Sequence, residues 1–207
     1  MNNRKMRFYG KKASKFFPSI KMGITMREDS EFEICAMLDF EFDDDVISWQ
    51  AQPQSYIYKI GESEHRYTPD VLKKNKDGSF DFIEIKPKVF TKDKSFIKKY
   101  GYLNDFFLMR YNRPLKLMTE DDFYHDIKLK NYKTLYRYRS YDFSRYQLEK
   151  AFEHMQGAKV VGDIYETVSK FIVTKAFAPA LFATKKVLVD LTKPFDFDSK
   201  VEGLAYV

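Results

Sequence analysis

Sulfur and imidazole ligands are scarce in this sequence. Its 207 residues include one cysteine, Cys35, and three scattered histidines. A lone cysteine excludes an intramolecular disulfide and a cysteine-based zinc site. His65, His125 and His154 do not have the spacing of a metal-binding cluster. Any metal bound here is therefore expected to be a hard ion held by carboxylate oxygens.

Long apolar runs are lacking as well. No stretch approaches the ~20 apolar residues of a membrane-spanning helix, and the first residues have no apolar core of a signal peptide. We therefore expect a cytoplasmic protein that makes no membrane contact. A hydrophobic fraction of 44% with 17% aromatic residues predicts a folded globular chain. Its length suits one large domain or two small ones.

Charge is distributed unevenly along the chain. Residues 1–21 carry seven Lys and Arg and no acid, and residues 22–86 carry seven basic and fifteen acidic residues. Residues 87–118 return to eight basic against two acidic. An acidic segment between basic ones suits a protein that holds a divalent metal beside a polyanion. A solvated basic arm and an ordinary charged surface are the alternative.

Hydrophobic periodicity predicts an α+β fold for residues 22–120. Ser30 and Glu33 match a capping box for a first helix, which the acidic residues 41–45 end. Strands with a hairpin turn at Gly78 follow, then a helix over residues 94–110 and a last strand. The order helix, strands, helix, strand predicts a sheet layered with helices, an α/β/α core.

The pattern of predicted elements changes after residue 120. A predicted helix ending near Gln156 is followed at Gly157 by a second helix over residues 160–173. Two short strands are predicted over residues 181–183 and 186–191. Two helices joined at a glycine and followed by a small hairpin are the outline of a winged helix-turn-helix. The sequence therefore predicts three parts: a basic N-terminal arm over residues 1–21, a core domain over residues 22–120 and a C-terminal domain over residues 121–207.

A turn and a strand carry the most informative charged residues. Asp70 follows Pro69 at a turn, and the strand that begins at Phe80 carries Glu84 and Lys86 two residues apart. Because strand side chains alternate between faces, Glu84 and Lys86 share one face. Asp70 and Glu84 can bridge Mg²⁺, while Lys86 positions the attacking water and stabilises charge on the phosphorane. The alternative is a solvent-facing strand pair and an aspartate that only ends a turn.

A third carboxylate is predicted on the first helix. Glu31 and Glu33 lie about 200° apart around a helix, so only one of them can face the sheet. The neighbouring Phe32 and Leu38 do not settle the choice, and the other role of Glu33 is to cap the helix with Ser30.

These residues resemble a known family. The segments that carry the resemblance are Ser30-x-x-Glu33, Val46 with Gln52-Pro53, Arg66-Tyr-Thr-Pro-Asp70, Ile83-Glu84-Ile-Lys86-Pro87 and residues 188–195. Over roughly residues 20–200, and most strongly over 28–88, the sequence is similar to TnsA. TnsA is the endonuclease subunit of heteromeric bacterial transposases and has a PD-(D/E)XK restriction-endonuclease-like fold.

The resemblance implies a site and an activity. It implies that Glu33, Asp70 and Glu84 form a metal-binding triad and that Lys86 is the catalytic lysine. The implied cofactor is Mg²⁺, for which Mn²⁺ is expected to substitute. Phe32 departs from the family, in which an aliphatic residue is common there.

The resemblance also implies partners. The implied substrate is double-stranded DNA at the transposon ends, cut at the 5′ ends (the non-transferred strands), while a TnsB-type transposase cuts and joins the 3′ ends. A winged-helix-like second domain over residues 121–207 would contact DNA and a TnsC-type AAA+ regulator in the bacterial cytoplasm. The rival functions are a stand-alone restriction or repair nuclease, which needs no partner, and a catalytically inactive DNA-binding adaptor.

Two further groups of side chains have alternative interpretations. The acidic residues Glu41, Asp43, Asp44 and Asp45 are either a second metal site or an acidic loop. A cluster of tyrosines interleaved with basic residues either grips DNA or packs between domains. The members of this cluster are Tyr132, Lys133, Tyr136, Arg137, Tyr138, Arg139 and Tyr141.

Overall fold

The chain forms two compact units that divide between Tyr124 and His125. The structure is a computed structural model that describes residues 15–28 and 30–205. Residues 1–14 of the predicted basic arm lie outside the described residues, and residues 15–19 form a strand. Across the part of the chain that is described, no helix is long and apolar enough to cross a membrane.

The first unit is built on a mixed sheet. Its helices are α1 (Glu31–Phe42), α2 (Lys94–Tyr111) and α3 (Glu120–Phe123), and its strands are β1 (Lys15–Ser19), β2 (Ile24–Glu28), β3 (Val46–Ala51), β4 (Tyr56–Ile60), β5 (Ser63–Tyr67), β6 (Val71–Asn75), β7 (Phe80–Ile85) and β8 (Leu115–Met118). Strands β3, β6, β7 and β8 form the sheet in that order, and β1–β2 and β4–β5 are separate hairpins. Strands β7 and β8 are parallel because α2 crosses over between them. The prediction of a mixed α+β core is confirmed, and from α1 onward the elements follow the predicted order of helix, strands, helix and strand, but the hairpin β1–β2 before α1 was not predicted.

A buried carboxylate stabilises the end of α1. Glu41 is fully buried and accepts hydrogen bonds from the Ser19 hydroxyl (2.5 Å), the Lys21 backbone N–H (2.9 Å) and the Trp49 indole N–H (3.1 Å). The Lys21 ammonium donates to the backbone carbonyls of Phe40 in the last turn of α1, of Asp43 directly after it and of Val46 at the start of β3. These bonds satisfy carbonyls that a helix terminus leaves without partners. The acidic residues 41–45 therefore end the helix and form a turn, with Glu41 in a structural role.

The face of the sheet toward α2 carries an aromatic core. The buried members are Tyr56, Tyr58, Tyr67, Phe82, Leu103, Phe107 and Leu115. The rings of Phe82 and Phe107 lie 4.5 Å apart between centroids. Burial of each such side chain contributes ~1.5–3 kcal/mol. This core fixes α2 over β7, the strand that carries Glu84.

The second unit consists of four helices and a hairpin. Its elements are α4 (Asp126–Tyr136), α5 (Arg145–His154), α6 (Val161–Ser169), α7 (Phe177–Ala183), β9 (Val187–Val189) and β10 (Val201–Leu204). Strands β9 and β10 are antiparallel, and Val160 forms an isolated bridge with Lys200. The predicted helices around Gly157 are present as α5 and α6.

One predicted strand of the second unit is wrong. Residues 181–183 belong to α7, and the strand that pairs with β9 is β10, in a segment for which no strand was predicted. All seven residues of α7 are buried. A short run that is apolar at every position has no period, so the sequence does not distinguish a buried helix from a buried strand. Pro179 lies in the first turn of α7, where a helix tolerates proline.

Candidate active site

Asp70 and Glu84 lie at the same end of the sheet. Strands β6 and β7 pair antiparallel with Val71 opposite Ile83. Continuing that register by one residue places Asp70 opposite Glu84, on one face. The register depends on the hairpin turn at Gly78, whose φ of 82° favours glycine. The structure therefore brings together two carboxylates that are fourteen positions apart in the sequence.

The Gln-Pro pair noted in the sequence fixes the backbone beside Asp70. Gln52 follows β3 with a left-handed φ of 43°, a conformation that costs free energy for a residue other than glycine. In this conformation its backbone N–H donates to the Asp70 carbonyl oxygen at 2.8 Å. The pair thus ties Asp70 to the neighbouring strand.

Each carboxylate has one oxygen bound by a protein donor. Asp70 Oδ2 accepts from the Ile85 backbone N–H at 2.7 Å. Glu84 Oε2 accepts from the Tyr67 hydroxyl at 2.6 Å. Among the described residues, Asp70 Oδ1 and Glu84 Oε1 accept no hydrogen bond. One oxygen orients each carboxylate, and the other can serve as a ligand.

The surroundings of Asp70 favour its protonated form. Burial, followed by the nearby charge of Glu84, raises the pKa of Asp70 from 3.8 to about 7. The Ile85 N–H and the Lys86 ammonium oppose this rise, and the charge of Glu33 adds to it. Burial, followed by the charge of Glu84, also raises the pKa of Tyr67, whose hydroxyl therefore stays a donor.

Lys86 lies next to the carboxylates, directly after β7. Its backbone N–H donates to the Met118 carbonyl at 2.9 Å, which extends the pairing of β7 and β8 by one residue before Pro87 ends it. Its Nζ lies 5.6 Å from the centroid of the Phe96 ring. Lys86 and Glu84 line one cleft, as the prediction that they share one face requires.

The two candidate third carboxylates have different surroundings. Ser30 Oγ accepts from the Glu33 backbone N–H at 3.2 Å, the predicted N-cap of α1. Glu31 pairs with the Lys15 ammonium at 2.6 Å. Of the two, only Glu33 contributes its negative charge to the raised pKa of Asp70, whereas Glu31 has a lysine partner.

The oxygen donors of the site fit a hard divalent cation. Mg²⁺ is commonly held by one or two carboxylates together with waters and substrate phosphates. Asp70 Oδ1 and Glu84 Oε1 supply such a pair, and a bound cation would offset the repulsion that raises the pKa of Asp70. Within residues 15–28 and 30–205, no three His, Cys, Asp or Glu side chains form a metal-binding group. Glu33 therefore stays a predicted third ligand.

A cleft of about 380 Å³ opens beside Glu84 and Lys86. Its other wall is the start of α2, with Asp93 and Lys99. Asp93 is the N-cap of α2, and its side chain accepts from the backbone N–H groups of Ser95 and Phe96. The cleft thus has two ammonium groups and a carboxylate of the proposed site in its lining.

Sequence reasoning missed two residues of this site. Tyr67 was considered only as part of a motif, although it binds Glu84 directly. Lys99 lies within the helix predicted over residues 94–110 and was given no role there, yet it lines the cleft, and its Nζ lies 5.6 Å from the centroid of the Tyr67 ring. Neither contact has a local sequence signal, because each joins residues of separate elements.

The tyrosine-rich cluster of the second unit divides into buried and exposed members. Tyr132 on α4 is 9% exposed, and the Tyr141 ring packs against Phe177, at 5.9 Å between centroids. Arg137 is exposed, and its guanidinium carbon lies 4.8 Å from the centroid of the Tyr138 ring. Packing accounts for Tyr132 and Tyr141, and the Arg137–Tyr138 pair keeps the predicted DNA role as a hypothesis.

Comparison with known proteins identifies the family. A family model described as "TnsA-like endonuclease N terminal" matches residues 43–150. The match includes Asp70, Glu84 and Lys86, whereas Glu33 precedes it. A search of curated proteins returns no match. Because the matched segment covers more than half of the 207 residues, the chain belongs to the TnsA-like endonuclease family.

Proposed function

We propose that this chain is a Mg²⁺-dependent DNA endonuclease that acts as the TnsA-type subunit of a heteromeric transposase. In this role it cleaves the 5′ ends of the transposon during cut-and-paste transposition. The observation that carries the proposal is the pairing of Asp70 and Glu84, each with one oxygen available, next to the open cleft that Glu84 and Lys86 line. This arrangement lies within the segment that matches the TnsA-like family.

The residues of the site have distinct roles in phosphodiester hydrolysis. Asp70 Oδ1 and Glu84 Oε1 would hold Mg²⁺ or Mn²⁺, and the bound ion supplies Lewis-acid polarisation of the phosphate and a more acidic water. The Lys86 ammonium orients the attacking water and stabilises negative charge that develops on the phosphate. Glu33 adds negative charge on the α1 side of Asp70 and is the proposed third ligand.

The proposed assembly includes double-stranded DNA, a TnsB-type transposase and a TnsC-type AAA+ regulator. Membership of the TnsA-like family supports this setting. We assign the second unit a winged-helix-like role in contacting DNA and the regulator. The order α5, bridge at Val160, α6, α7, β9, β10 supports a winged helix, whereas the complete burial of α7 argues against this helix as a base-reading element. The exposed loop between β9 and β10 is the better candidate for contacting DNA.

Nicking of donor DNA tests the function. Wild type and Asp70→Ala are compared in Mg²⁺ with the partner transposase and regulator, with Asp105→Ala as the matched control. Asp105 is an exposed carboxylate of α2 that does not line the cleft. We expect cleavage at the 5′ ends by wild type and Asp105→Ala and none by Asp70→Ala. Equal cleavage by Asp70→Ala would contradict the site.

Omission of the partners separates this function from its nearest rival. A TnsA-type subunit is expected to cut little without the transposase and regulator. A stand-alone restriction or repair nuclease would cleave equally well without them, and that result would overturn the transposase assignment while leaving the nuclease site intact.

A further inference from the structure

Tyr67 makes two contacts with charged groups of the cleft. It is the last residue of β5, is 6% exposed, and packs in the aromatic core with Phe107. Its hydroxyl donates to Glu84 Oε2 at 2.6 Å, and the Lys99 ammonium lies 5.6 Å from the centroid of its ring. One buried side chain thus contacts an acidic and a basic group of the same cleft.

We propose that Tyr67 is a positioning residue for both groups. Its hydroxyl holds Glu84 by Oε2 so that Oε1 is the oxygen presented to the metal. Its ring face holds the Lys99 ammonium as a second phosphate-binding cation beside Lys86. The ligand of Lys99 is a phosphate of the DNA backbone. The inference rests on the proposed function, since it assigns parts of that same site.

The hydrogen bond to Glu84 has the features of an orienting contact. A glutamate that has several rotatable bonds loses conformational freedom when it binds a metal. A partner that already fixes one oxygen lowers that cost, and groups that orient metal ligands typically change metal affinity 10–100-fold. Tyr67 itself is fixed by burial among aromatic rings, so it can orient Glu84 without moving.

The placement of Lys99 fits an anion. The face of an aromatic ring carries negative charge density, and it attracts an ammonium group by ~0.5–1 kcal/mol at an exposed site. Among the described residues, neither Lys86 nor Lys99 forms an ion pair with a carboxylate. Asp93 also lines the cleft, but its side chain accepts from backbone N–H groups at the start of α2. Two unpaired ammonium groups in one cleft repel each other, and a DNA backbone with successive phosphates would relieve that repulsion.

Metal binding tests the hydroxyl contact. Mn²⁺ binding by the full chain is measured by calorimetry for wild type, Tyr67→Phe and Tyr58→Phe. Tyr58 is buried in the same aromatic core, at 5% exposure, so its variant loses one hydroxyl from the same surroundings. We expect ~10-fold weaker Mn²⁺ binding for Tyr67→Phe and wild-type affinity for Tyr58→Phe, with thermal unfolding recorded for each.

The outcomes separate this inference from the proposed function. Equal Mn²⁺ affinity for wild type and Tyr67→Phe would overturn the role of the hydroxyl while leaving the metal site intact. A wild-type chain that binds no Mn²⁺ would overturn the metal site itself, and the orienting role with it. A loss of affinity in Tyr58→Phe equal to that in Tyr67→Phe would show a general effect of the core and would also overturn the role.

DNA binding tests the ring contact. Anisotropy of a short labelled duplex is measured in EDTA, where no cleavage occurs, over a series of salt concentrations. One lost phosphate contact lowers the slope of log K against log salt by about 0.9. We expect that decrease for Lys99→Ala and a smaller one for Lys98→Ala, because Lys98 is exposed on α2 but does not line the cleft. Tyr67→Phe keeps the ring and is expected to keep the wild-type slope.

Tyr67→Phe and Lys99→Ala should therefore change different properties of the protein. Tyr67→Phe loses metal affinity and keeps the salt slope, whereas Lys99→Ala keeps metal affinity and loses part of the slope. An unchanged slope for Lys99→Ala, or an equal decrease for Lys98→Ala, would overturn the phosphate assignment.

Discussion

Strand β7 carries two carboxylates with different partners, Asp81 on one face and Glu84 on the other. Asp81, 3% exposed, accepts from the Lys116 ammonium at 2.7 Å and the Asn75 amide at 3.0 Å, with the Lys73 ammonium at 3.4 Å. Burial raises the pKa of Asp81, but these hydrogen bonds and charges outweigh it, and the net pKa is lowered. On the other face, Glu84 adjoins Asp70, whose pKa is raised.

The difference between these faces separates a structural carboxylate from a functional one. Both lie on the same strand of the same sheet, so their position in the fold alone does not distinguish them. Asp81 forms ion pairs with two lysines, Lys73 and Lys116, whereas among the described residues neither Asp70 nor Glu84 forms an ion pair. The protein completes the charge balance on the first face, and on the second it leaves room for a cation.

The largest expected effect is on cleavage. Glu84→Gln keeps the size of the side chain and removes its charge, so we expect a decrease of ~10³-fold in the rate of DNA nicking. Asp81→Asn is expected to nick within about threefold of wild type, because Asp81 lies on the opposite face. Single-turnover nicking of labelled donor DNA measures both rates. Similar losses in the two variants would show that the two faces do not differ in function.

The next effect is on stability. Here a substitution at Asp81 is expected to be the harmful one, whereas a substitution in the carboxylate pair is expected to stabilise the protein. Asp81→Ala leaves Lys73, a largely buried lysine, without its partner, so we expect a loss of ~2 kcal/mol in the free energy of unfolding. Asp70→Asn removes repulsion with Glu84, so we expect a gain in metal-free protein at neutral pH. Urea unfolding in EDTA measures both. A destabilised Asp70→Asn would contradict the electrostatic description of the site.

The pH dependence of stability distinguishes the two carboxylates by sign. The folded chain binds the Asp70 proton more tightly than the unfolded chain, so the free energy of unfolding falls as pH rises from about 4 to about 7. Asp81 acts in the opposite direction, since its lowered pKa gives stability that is lost as pH falls through the folded pKa, below 3.8. We expect the Asp70 effect to be up to ~4 kcal/mol, which corresponds to the rise of its pKa from 3.8 to about 7, and to be absent in Asp70→Asn. Urea midpoints of the metal-free protein at a series of pH values measure it, and a wild-type profile identical to that of Asp70→Asn would contradict it.

The sequence predicted the local part of the site. The alternation of β7 separates Glu84 and Lys86 from Asp81, and the hairpin turn at Gly78 sets the register that brings Asp70 opposite Glu84. Both follow from periods and turns within about fifteen residues.

The parts that the sequence did not predict depend on packing between elements. Tyr67 reaches Glu84 because the β4–β5 hairpin packs under α2, and Lys99 lies in the cleft because of how α2 is turned around its axis. The buried α7 and the hairpin β1–β2 were also missed. An apolar run without a period and a short hairpin in a basic segment give no distinctive sequence signal.

The smallest predicted effect concerns the third carboxylate and extends the comparison to α1. Glu33 adds to the negative charge at Asp70, whereas Glu31 pairs with Lys15, as Asp81 pairs with its lysines. We expect Glu33→Gln to weaken Mn²⁺ binding ~3- to 10-fold, because a metal site loses one negative charge, and Glu31→Gln to bind as wild type does. Calorimetry at one pH measures both variants. Equal binding by wild type and Glu33→Gln would leave Asp70 and Glu84 as the complete set of carboxylate ligands. Equal weakening of Mn²⁺ binding in Glu33→Gln and Glu31→Gln would mean that the total negative charge of α1 affects the metal, rather than one oriented side chain.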